Sequence, residues 1–491
     1  MSATLRFHDS PDRAAKGADV LALFAPAKVF KAKKLPPIPG FVDRRTRAAF
    51  AAAGTSKRPG DFGTAAQSID PRSGLRFVAG ILPDTVSRYN CAARSEAIRS
   101  VLRSLATERK RYGIVVVLDD PAHLRAAALA IGRALPRFDA RAKPVTARVH
   151  AAFVDRNGSP IPLDDHTPRL VEIERESAEL VDTPPSQLTP AAFAMRAVET
   201  LAALDGVHVS EIAGDALLEH GFGGIHAVGK GASSPPRIVI ARYAPEGARR
   251  HVALVGKGIC FDTGGLHLKG RGFMEGMKAD MGGGAAVFGA FRSLVERGHP
   301  DEVTLLLCLA ENAIGPDSYK PDDVVELHSG KRVEINNTDA EGRLLLADGV
   351  SYAARELRAD VVLDAATLTG AQLIATGHAH AAVVANDADL EAAFVATGHA
   401  TGELCHPLPF APELYRKEFD SPVADMRNSV KDRMNAQTAC AAYFVYAQIE
   451  DAPRAKRRWW GHVDLAGPAF RDDRGTGFGV ALLADTVARL P

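Results

Sequence analysis

The octapeptide Asn337-Thr338-Asp339-Ala340-Glu341-Gly342-Arg343-Leu344 places two carboxylates and a guanidinium within five residues. The residues before it, 332–336, alternate in the manner of a short strand. Those after it repeat apolar side chains at the spacing of one helical face: Leu346, Val350, Ala353 and Leu357. Asp339 is therefore predicted to lie in a strand-to-helix turn. One interpretation is an ordinary helix start, with Asp339 as the N-cap and Glu341 as a first-turn acid. The other is half of a metal site.

A second cluster of reactive side chains favours the metal-site interpretation. Residues 251–255 are predicted to form a buried strand, and the glycines that follow allow a tight loop carrying Lys257, Asp262 and Lys269. Lys278 and Asp280 come a few residues later, just before three consecutive glycines. Two carboxylates and three lysines in non-periodic, glycine-rich sequence do not suit a solvated helix face.

These two blocks together resemble the leucyl aminopeptidase (cytosol aminopeptidase) family. The family's hallmark octapeptide is present here without a change, and the earlier block matches in residue and spacing, with Lys269 seven residues after Asp262. The resemblance covers roughly residues 173–491. Residues 180–190 resemble the segment that opens the family's catalytic domain, with Asp182 in place of the usual Asn.

The resemblance implies two divalent metal ions, Zn²⁺ or Mn²⁺, with Mg²⁺ or Co²⁺ as further candidates for the more labile site. It implies that Asp262 and Glu341 bridge both ions, that Asp339 completes one site, and that Lys257 with Asp280 completes the other. A lysine ligand must be neutral, so its pKa is expected to be strongly lowered by burial beside two dications. The chain has no H-E-x-x-H motif, which leaves a single-zinc peptidase built on helical histidines unsupported.

The expected chemistry is peptide hydrolysis by a water that the two metals activate. Lys269 is the candidate cation that polarises the scissile carbonyl. In family terms the substrate's free α-amine ligates one metal, so the expected substrates are short peptides with a free N-terminus. The resemblance also implies a bicarbonate ion as general base, held by Arg343 and a backbone amide of residues 366–370. The alternative for Arg343 is a structural ion pair with neighbouring acids.

Specificity is less readable from the sequence. In relatives, positions matching five residues of this chain line the pocket for the first residue or the bicarbonate site: Met277, Thr367, Leu368, Thr369 and Gly370. An apolar pocket favours Leu- or Met-like side chains by only about 1–3 kcal/mol per methylene-sized difference. Residues 425–438 stand where many relatives have a glycine-rich loop, and they are richer in charge and poorer in glycine. A preference for leucine is therefore in doubt.

The order of strand-like and helix-like segments predicts two α/β domains. Turn-forming residues accumulate between 157 and 168, which places a small N-terminal α/β domain at 1–165, macro-domain-like by analogy. A larger catalytic α/β domain is predicted for 170–491, with a mostly parallel mixed sheet covered by helices. Several of its predicted strands end where the reactive residues begin, as in open α/β sheets that bind ligands at carboxyl ends: 238–241, 251–255, 303–310, 361–365 and 461–465.

Composition argues against several classes of protein. Sixty basic and fifty-nine acidic side chains give a net charge of +1, so there is no global reason to expect nucleic acid or an anionic membrane. Five scattered cysteines without a C-x-x-C pair suit a reducing compartment. The first residues lack a signal-peptide core, and no apolar run approaches the roughly eighteen residues of a membrane span. We therefore expect a soluble cytoplasmic protein.

The resemblance further implies a homohexamer, a dimer of trimers with active sites facing an interior cavity. Two other functions stay open. Some relatives also bind DNA, so the chain could keep the fold for a binding or regulatory role. The same carboxylates could also serve a different two-metal hydrolase, such as a phosphoesterase.

Overall fold

The computed structural model describes residues 2–31, 35–43, 46–108, 110–453 and 458–490. The chain divides into two compact units. One comprises Met1–Glu176 with Gly398–Leu404, and the other comprises Ser177–Thr397 with Cys405–Pro491. The first boundary falls within the helix His166–Asp182.

The first unit contains a six-stranded sheet in the order β1-β6-β5-β2-β4-β3. All neighbouring strands are parallel except β3, which runs antiparallel to β4. Its strands and helices are β1 (Ser2–Phe7), α1 (Pro11–Ala15), β2 (Val20–Pro26), α2 (Ala27–Lys31), α3 (Thr46–Thr55), β3 (Thr64–Ile69), β4 (Arg76–Leu82), α4 (Ser95–Leu105), β5 (Arg111–Val117), α5 (Leu124–Ala134), β6 (Thr146–Val154) and α6 (His166–Asp182).

The second unit is organised around an eight-stranded mixed sheet. Its strands are β7 (Val207–Ala213), β8 (Arg237–Tyr243), β9 (His251–Asp262), β10 (Glu302–Asn312), β13 (Val361–Ala366), β14 (Ala381–Ala385), β15 (Cys405–Pro407) and β17 (Trp459–Asp464). The order is β15-β14-β17-β13-β9-β10-β8-β7. The four central strands, β17, β13, β9 and β10, are mutually parallel, so their carboxyl ends share one edge.

Short strands, ten α-helices and two 3-10 helices, Met277–Ala279 and Arg416–Phe419, complete the described part of this unit, and the last residues of one α-helix, from Gly398, belong to the first unit. The short strands are β11 (Val324–Glu326), β12 (Arg332–Glu334), β16 (Met426–Arg427), β18 (Phe470–Arg471) and β19 (Arg474–Gly475). The helices are α7 (Pro190–Ala202), α8 (Ala216–Glu219), α9 (Gly223–Gly229), α10 (Gly282–Glu296), α11 (Gly342–Arg355), α12 (Gly370–Ala375), α13 (Ala388–Thr401), α14 (Pro412–Tyr415), α15 (Gln437–Tyr446) and α16 (Val480–Arg489).

Strand β9 shows why this sheet is covered on both faces. Its residues are almost continuously buried, and successive side chains enter opposite cores: Leu254 packs in one and Val255 in the other. Helices α7, α10 and α16 contribute to the first core, while α9, α11 and α15 contribute to the second. The central strands are thereby fixed from both sides.

A glycine lets the start of α10 lie directly against the sheet. A Cβ atom built on Gly283 would lie 2.1 Å from the backbone oxygen of Ala365, so no side chain fits there. This close approach brings Asp280, which precedes α10, to the carboxyl edge of the central strands.

The predicted fold class is confirmed: the chain has a smaller N-terminal α/β unit and a larger α/β unit with a mostly parallel mixed sheet. All five strands predicted for the larger unit fall on observed strands. The helix after the octapeptide is also present as α11, although Leu357 lies beyond its end. None of the helices in the described residues is long and apolar enough to cross a membrane.

Candidate metal centre

A cleft of about 760 Å³ opens where the central strands of the second unit end. Eleven of the twelve residues predicted for the site line it: Lys257, Asp262, Lys269, Met277, Asp280, Asp339, Glu341, Thr367, Leu368, Thr369 and Gly370. The twelfth, Arg343, is buried behind it. Residues from four separate stretches of sequence, 257–269, 277–280, 339–343 and 367–370, thus meet at one edge of the sheet.

Three of the carboxylates converge closely enough to share a cation. Asp262 ends β9, Asp280 follows the 3-10 turn Met277–Ala279, and Glu341 immediately precedes α11. One oxygen from each lies within 4.8 Å of the others, and all three side chains are buried. Asp339 lies nearby and is partly exposed.

The alternative interpretation of Asp339 as an ordinary helix N-cap is wrong. Helix α11 begins at Gly342, so Glu341 occupies the N-cap position, and its side chain makes no capping hydrogen bond. Glu341 Oε1 instead accepts from Lys257 Nζ at 2.9 Å. Asp339 Oδ1 accepts from Lys269 Nζ at 2.6 Å. Both acids pair with lysines, the buried Lys257 and the partly buried Lys269, rather than with the free amides of the helix.

The two lysines each join a pair of carboxylates. Lys257 Nζ lies 2.8 Å from Asp280 Oδ1 and 2.9 Å from Glu341 Oε1. Lys269 Nζ lies 2.7 Å from Asp262 Oδ2 and 2.6 Å from Asp339 Oδ1. Two ammonium groups cannot neutralise four ionised carboxylates, so the cluster favours additional positive charge.

Crowding of acids in a buried site shifts their protonation. Burial and the neighbouring charge of Glu341 raise the pKa of Asp262 to about 6. Burial also raises the pKa of Asp280 well above its usual range, against the pull of Lys257. For Glu341, burial opposes ionisation, but Lys257 and Lys269 outweigh it and lower its pKa.

The expected lowering of the lysine pKa depends on two dications, and with the carboxylates alone the shift has the opposite direction. Burial opposes the charge of Lys257, but Asp280, Glu341 and Asp262 outweigh burial and raise its pKa. Lys269 behaves in the same way for the same reason. The raised pKa favours the charged ammonium of Lys257, which could become a neutral ligand only after a cation offsets the surrounding carboxylates.

The donor set fits a pair of divalent ions. Asp280 Oδ2 is buried and makes no hydrogen bond, so one carboxylate oxygen is free to coordinate. The converging ligands are hard oxygens, which suit Mg²⁺, Mn²⁺ and Zn²⁺, with one amine as a borderline donor.

Arg343 is buried without an acidic partner among the described residues. Its Nη1 atom donates to the backbone oxygen of Asn428 at 2.9 Å, and its Nε atom is buried with no hydrogen-bond partner. Burial lowers the pKa of this guanidinium to about 10. The alternative of a structural ion pair is therefore wrong, and the free donor suits a small anion.

The turn at residues 367–370 contacts the cluster directly. The Thr367 backbone oxygen accepts from Lys257 Nζ at 2.8 Å, and Thr367 Oγ1 donates to Asp280 Oδ1 at 2.8 Å. Thr369 caps α12 by accepting from the Gln372 amide at 3.1 Å. Met277 lies across the cleft with the apolar side chains of Phe273 and Phe470.

Two asparagines that sequence analysis did not select support the site. Asn312 Nδ2, at the end of β10, donates to Asp262 Oδ1 at 2.8 Å. Asn428 Nδ2 donates to the backbone oxygens of Asn337 and Ala340 at 2.7 and 3.2 Å, which fixes the octapeptide turn. Asn312 could have been found as a polar residue at the end of a strand beside β9. Asn428 carries no such signal.

The charged segment 425–438, which differs from the glycine-rich loop of many relatives, does not bring its charges into the cleft. None of its charged side chains is among the residues that line the cleft. Arg427 pairs with Glu334 at 3.0 Å, while Arg433 and the exposed Met434 line a separate apolar groove of about 310 Å³. Its charges therefore give no direct reason to doubt an apolar first-residue pocket.

Comparison with known proteins matches both parts of the chain to family models. The family model "Cytosol aminopeptidase family, catalytic domain" matches residues 176–484, and the model "M17 aminopeptidase N-terminal domain 2" matches residues 63–143. The mouse protein named probable aminopeptidase NPEPL1 is 44% identical over 411 residues, which span 82% of this chain and 77% of that protein.

Two solved structures extend the comparison to the whole chain. Leucyl aminopeptidase from Trypanosoma brucei, in complex with bestatin, is 34% identical, with a TM-score of 0.88 over 100% of this chain and 96% of that one. The bottromycin maturation enzyme BotP, in complex with Mn, is 31% identical, with a TM-score of 0.75 over 96% of this chain and 99% of that one.

Proposed function

The chain belongs to the cytosol aminopeptidase family, and we propose that it is a two-metal exopeptidase that removes the N-terminal residue from short peptides. Family membership makes it a peptidase. The observation that carries the finer proposal is the convergence of Asp262, Asp280 and Glu341 within 4.8 Å at the edge of a large cleft.

Five side chains would hold the two ions. Asp262 and Glu341 would bridge the two ions, the partly exposed Asp339 would complete one position, and Lys257 with Asp280 would complete the other at the buried end of the cluster. Zn²⁺ and Mn²⁺ are the proposed ions, with Mg²⁺ or Co²⁺ as substitutes in the more labile position. The complex of BotP with Mn supports Mn²⁺ as one occupant.

When bound, the ions supply Lewis-acid activation of a water and of the scissile carbonyl. The protein's own groups prepare the remaining steps. The Lys269 ammonium, at the cleft wall, is placed to offset negative charge that develops on the carbonyl oxygen. Arg343 has an unpartnered buried Nε atom, which suits retention of a bicarbonate ion as the group that accepts the proton of the water.

The cleft supports a preference for apolar first residues. Beside the charged cluster it is lined by Leu268, Phe273, Met277, Leu373 and Phe470. An apolar wall of this kind accepts Leu- and Met-like side chains, with discrimination of about 1–3 kcal/mol per methylene-sized difference. The substrates proposed are therefore short peptides with a free N-terminus and an apolar first residue.

The proposal includes a cytoplasmic homohexamer. A closed assembly with active sites on an inner cavity would admit short peptides and exclude folded proteins. Light scattering of an active preparation tests it, because a hexamer has six times the mass of the 52.1 kDa chain. An active species with the mass of one chain would overturn this part of the proposal.

One assay tests the proposed function as a whole. The purified protein, with Mn²⁺ or Zn²⁺ added, should release leucine from leucinamide and should leave p-nitrophenyl phosphate intact. Hydrolysis of the phosphate ester without leucine release would favour a different two-metal hydrolase. If added metals did not stimulate leucine release and chelators did not abolish it, the metal-dependent mechanism would be overturned.

A further inference from the structure

Asp464 is a buried acid that the proposed chemistry does not use. It is the last residue of β17, it lies opposite Ala366 of β13, and its side chain is fully buried. Because β17 and β13 are parallel, Asp464 stands at the same edge of the sheet as the metal centre. It does not line the cleft, so it does not touch substrate there.

Both oxygens of Asp464 accept hydrogen bonds from the turn that follows β13. Oδ1 accepts from the Leu368 amide at 3.1 Å, and Oδ2 accepts from Thr369 Oγ1 at 2.7 Å. Oδ1 also accepts from the Ala466 amide at 3.3 Å. The carboxylate therefore fixes the turn in two places and ties it to the chain beyond β17.

Thr367, which precedes Leu368 and Thr369 in the chain, contacts two of the proposed metal ligands. The Thr367 backbone oxygen accepts from Lys257 Nζ, and Thr367 Oγ1 donates to Asp280 Oδ1, both at 2.8 Å. Lys257 and Asp280 are the pair proposed to complete the same metal position. Asp262 and Asp339, by contrast, are held by Lys269 and Asn312, which do not contact this turn.

We propose that Asp464 is a positioning residue for the metal position completed by Lys257 and Asp280, acting through the turn at Thr367. The inference rests on the proposed function and deepens it. Removal of a residue that holds metal ligands in place commonly lowers metal affinity by about 10- to 100-fold. Removal of the Asp464 carboxylate should lower it by a similar factor. The effect should be confined to one of the two ions, because the other position is held from a different side.

The test is a calorimetric titration of the metal-free protein with Mn²⁺ and with Zn²⁺. Asp464→Ala should weaken one of the two binding events by about 10- to 100-fold and leave the other within a factor of two or so of wild type. Asp464→Asn keeps one carbonyl oxygen for the turn amides, so it should restore most of the lost affinity. Turnover of Asp464→Ala should fall with little change in KM.

Asp485→Ala is the matched control. Asp485 is also a buried acid of the second unit, on α16, where its Oδ1 accepts from Arg297 Nη1 at 3.2 Å. It should lower thermal stability without selective loss of one metal. Equal weakening of both metals in Asp464→Ala, or wild-type affinity for both, would overturn the proposal.

A crystal structure of metal-free Asp464→Ala gives a second readout that requires no bound ion. The proposal expects the contacts from Thr367 to Lys257 and Asp280 to lengthen beyond hydrogen-bonding distance. Their persistence at about 2.8 Å, as in the unmodified chain, would overturn it. If the wild type bound both metals but released no leucine, the proposed function would fail alone, and the titration would still decide the role of Asp464.

Discussion

Gly342 leaves the space that the Lys257 side chain occupies: a Cβ atom on Gly342 would lie 2.5 Å from Lys257 Cε and 2.6 Å from its Nζ. Gly342 begins α11 with ordinary helical geometry, so the backbone itself does not require glycine. The small residue is needed because the lysine that joins Asp280 and Glu341 passes directly over the start of the helix.

Substituting Gly342→Ala should therefore damage the site more than the fold. Alanine is the better helix former, but it would displace Lys257 by about an ångström, a misplacement that can cost roughly a hundredfold in rate. Turnover of leucinamide measures the effect. Gly289→Ala, in α10, is the control, because its Cβ would meet Ser177 and Val480 at 2.6 and 2.7 Å, away from the cleft. That variant should lose stability and keep its turnover per folded molecule, and an equal loss of turnover in both would contradict the explanation.

Chelation should abolish activity reversibly if two ions act in the cluster. Asp339→Asn and Glu341→Gln should each remain folded and turn over at least about a hundredfold more slowly, the scale of losing one key electrostatic group. Thermal unfolding and elemental analysis accompany the assay. Full activity in a preparation shown to be metal-free would contradict the metal requirement.

Arg343→Ala should reduce turnover by roughly a hundredfold without loss of metal, since it removes the group proposed to hold the proton acceptor. Arg343→Lys keeps the positive charge but not the forked pair of donors, so its turnover should lie between those of Arg343→Ala and the wild type. Added bicarbonate should stimulate bicarbonate-depleted wild type more than Arg343→Ala. Equal stimulation of the two proteins would show that the anion acts elsewhere.

Asp348, which lies outside the candidate metal centre, should make the free energy of unfolding depend on pH. It is fully buried on α11, where it accepts from the amides of Ile225 and His328, and burial raises its pKa to about 7. The pKa of an aspartate in the unfolded chain is about 3.9, so the stability contributed by neutral Asp348 is fully present below that pH. This contribution is lost as the pH rises through about 7, where the folded-state carboxyl ionises. The loss is on the order of 4 kcal/mol at most, at about 1.4 kcal/mol per pKa unit.

Asp348→Asn should therefore become more stable relative to wild type between pH 5 and pH 8. Thermal unfolding of both proteins across that range measures the difference. Since the asparagine does not ionise, only the wild type should show this component of the pH dependence. A constant difference between the two proteins at every pH would mean that Asp348 does not titrate in this range.

The convergence of the candidate site's side chains could be predicted because they lie in short, dense runs. Asp339, Glu341 and Arg343 fall within five positions, and Lys257, Asp262 and Lys269 within thirteen, in glycine-rich sequence that has no helical or strand period. Strand ends could also be predicted, because strands buried on both faces are continuously apolar. The common edge of these strands then brings the runs together.

The supporting residues could not be predicted because only the fold places them. Asn428 lies more than eighty positions from the octapeptide it clamps, and Asp464 lies 96 positions from Leu368. Each is a single polar residue of an ordinary type. The apolar period predicted for this helix runs to Leu357, two residues beyond the end of α11 at Arg355, and Arg358, with a positive φ of 52°, turns the chain just after it.

The free α-amine of the substrate should decide which end of a peptide is cut. If the free α-amine of the substrate is needed as a ligand, leucinamide and short leucyl peptides should react, while their N-acetyl forms should not. Acetylation makes the nitrogen lone pair unavailable and adds bulk beside the acidic cluster of Asp262, Asp280 and Glu341. Protonation has a related effect, because an ammonium cannot coordinate and a model α-amine titrates near roughly 7.7–8.0. The rate at limiting substrate should therefore rise from neutral into mildly alkaline pH. Measuring kcat/KM for each free and acetylated pair across this range makes the comparison, and equal cleavage of both forms would remove the reason for assigning exopeptidase specificity to the metal centre.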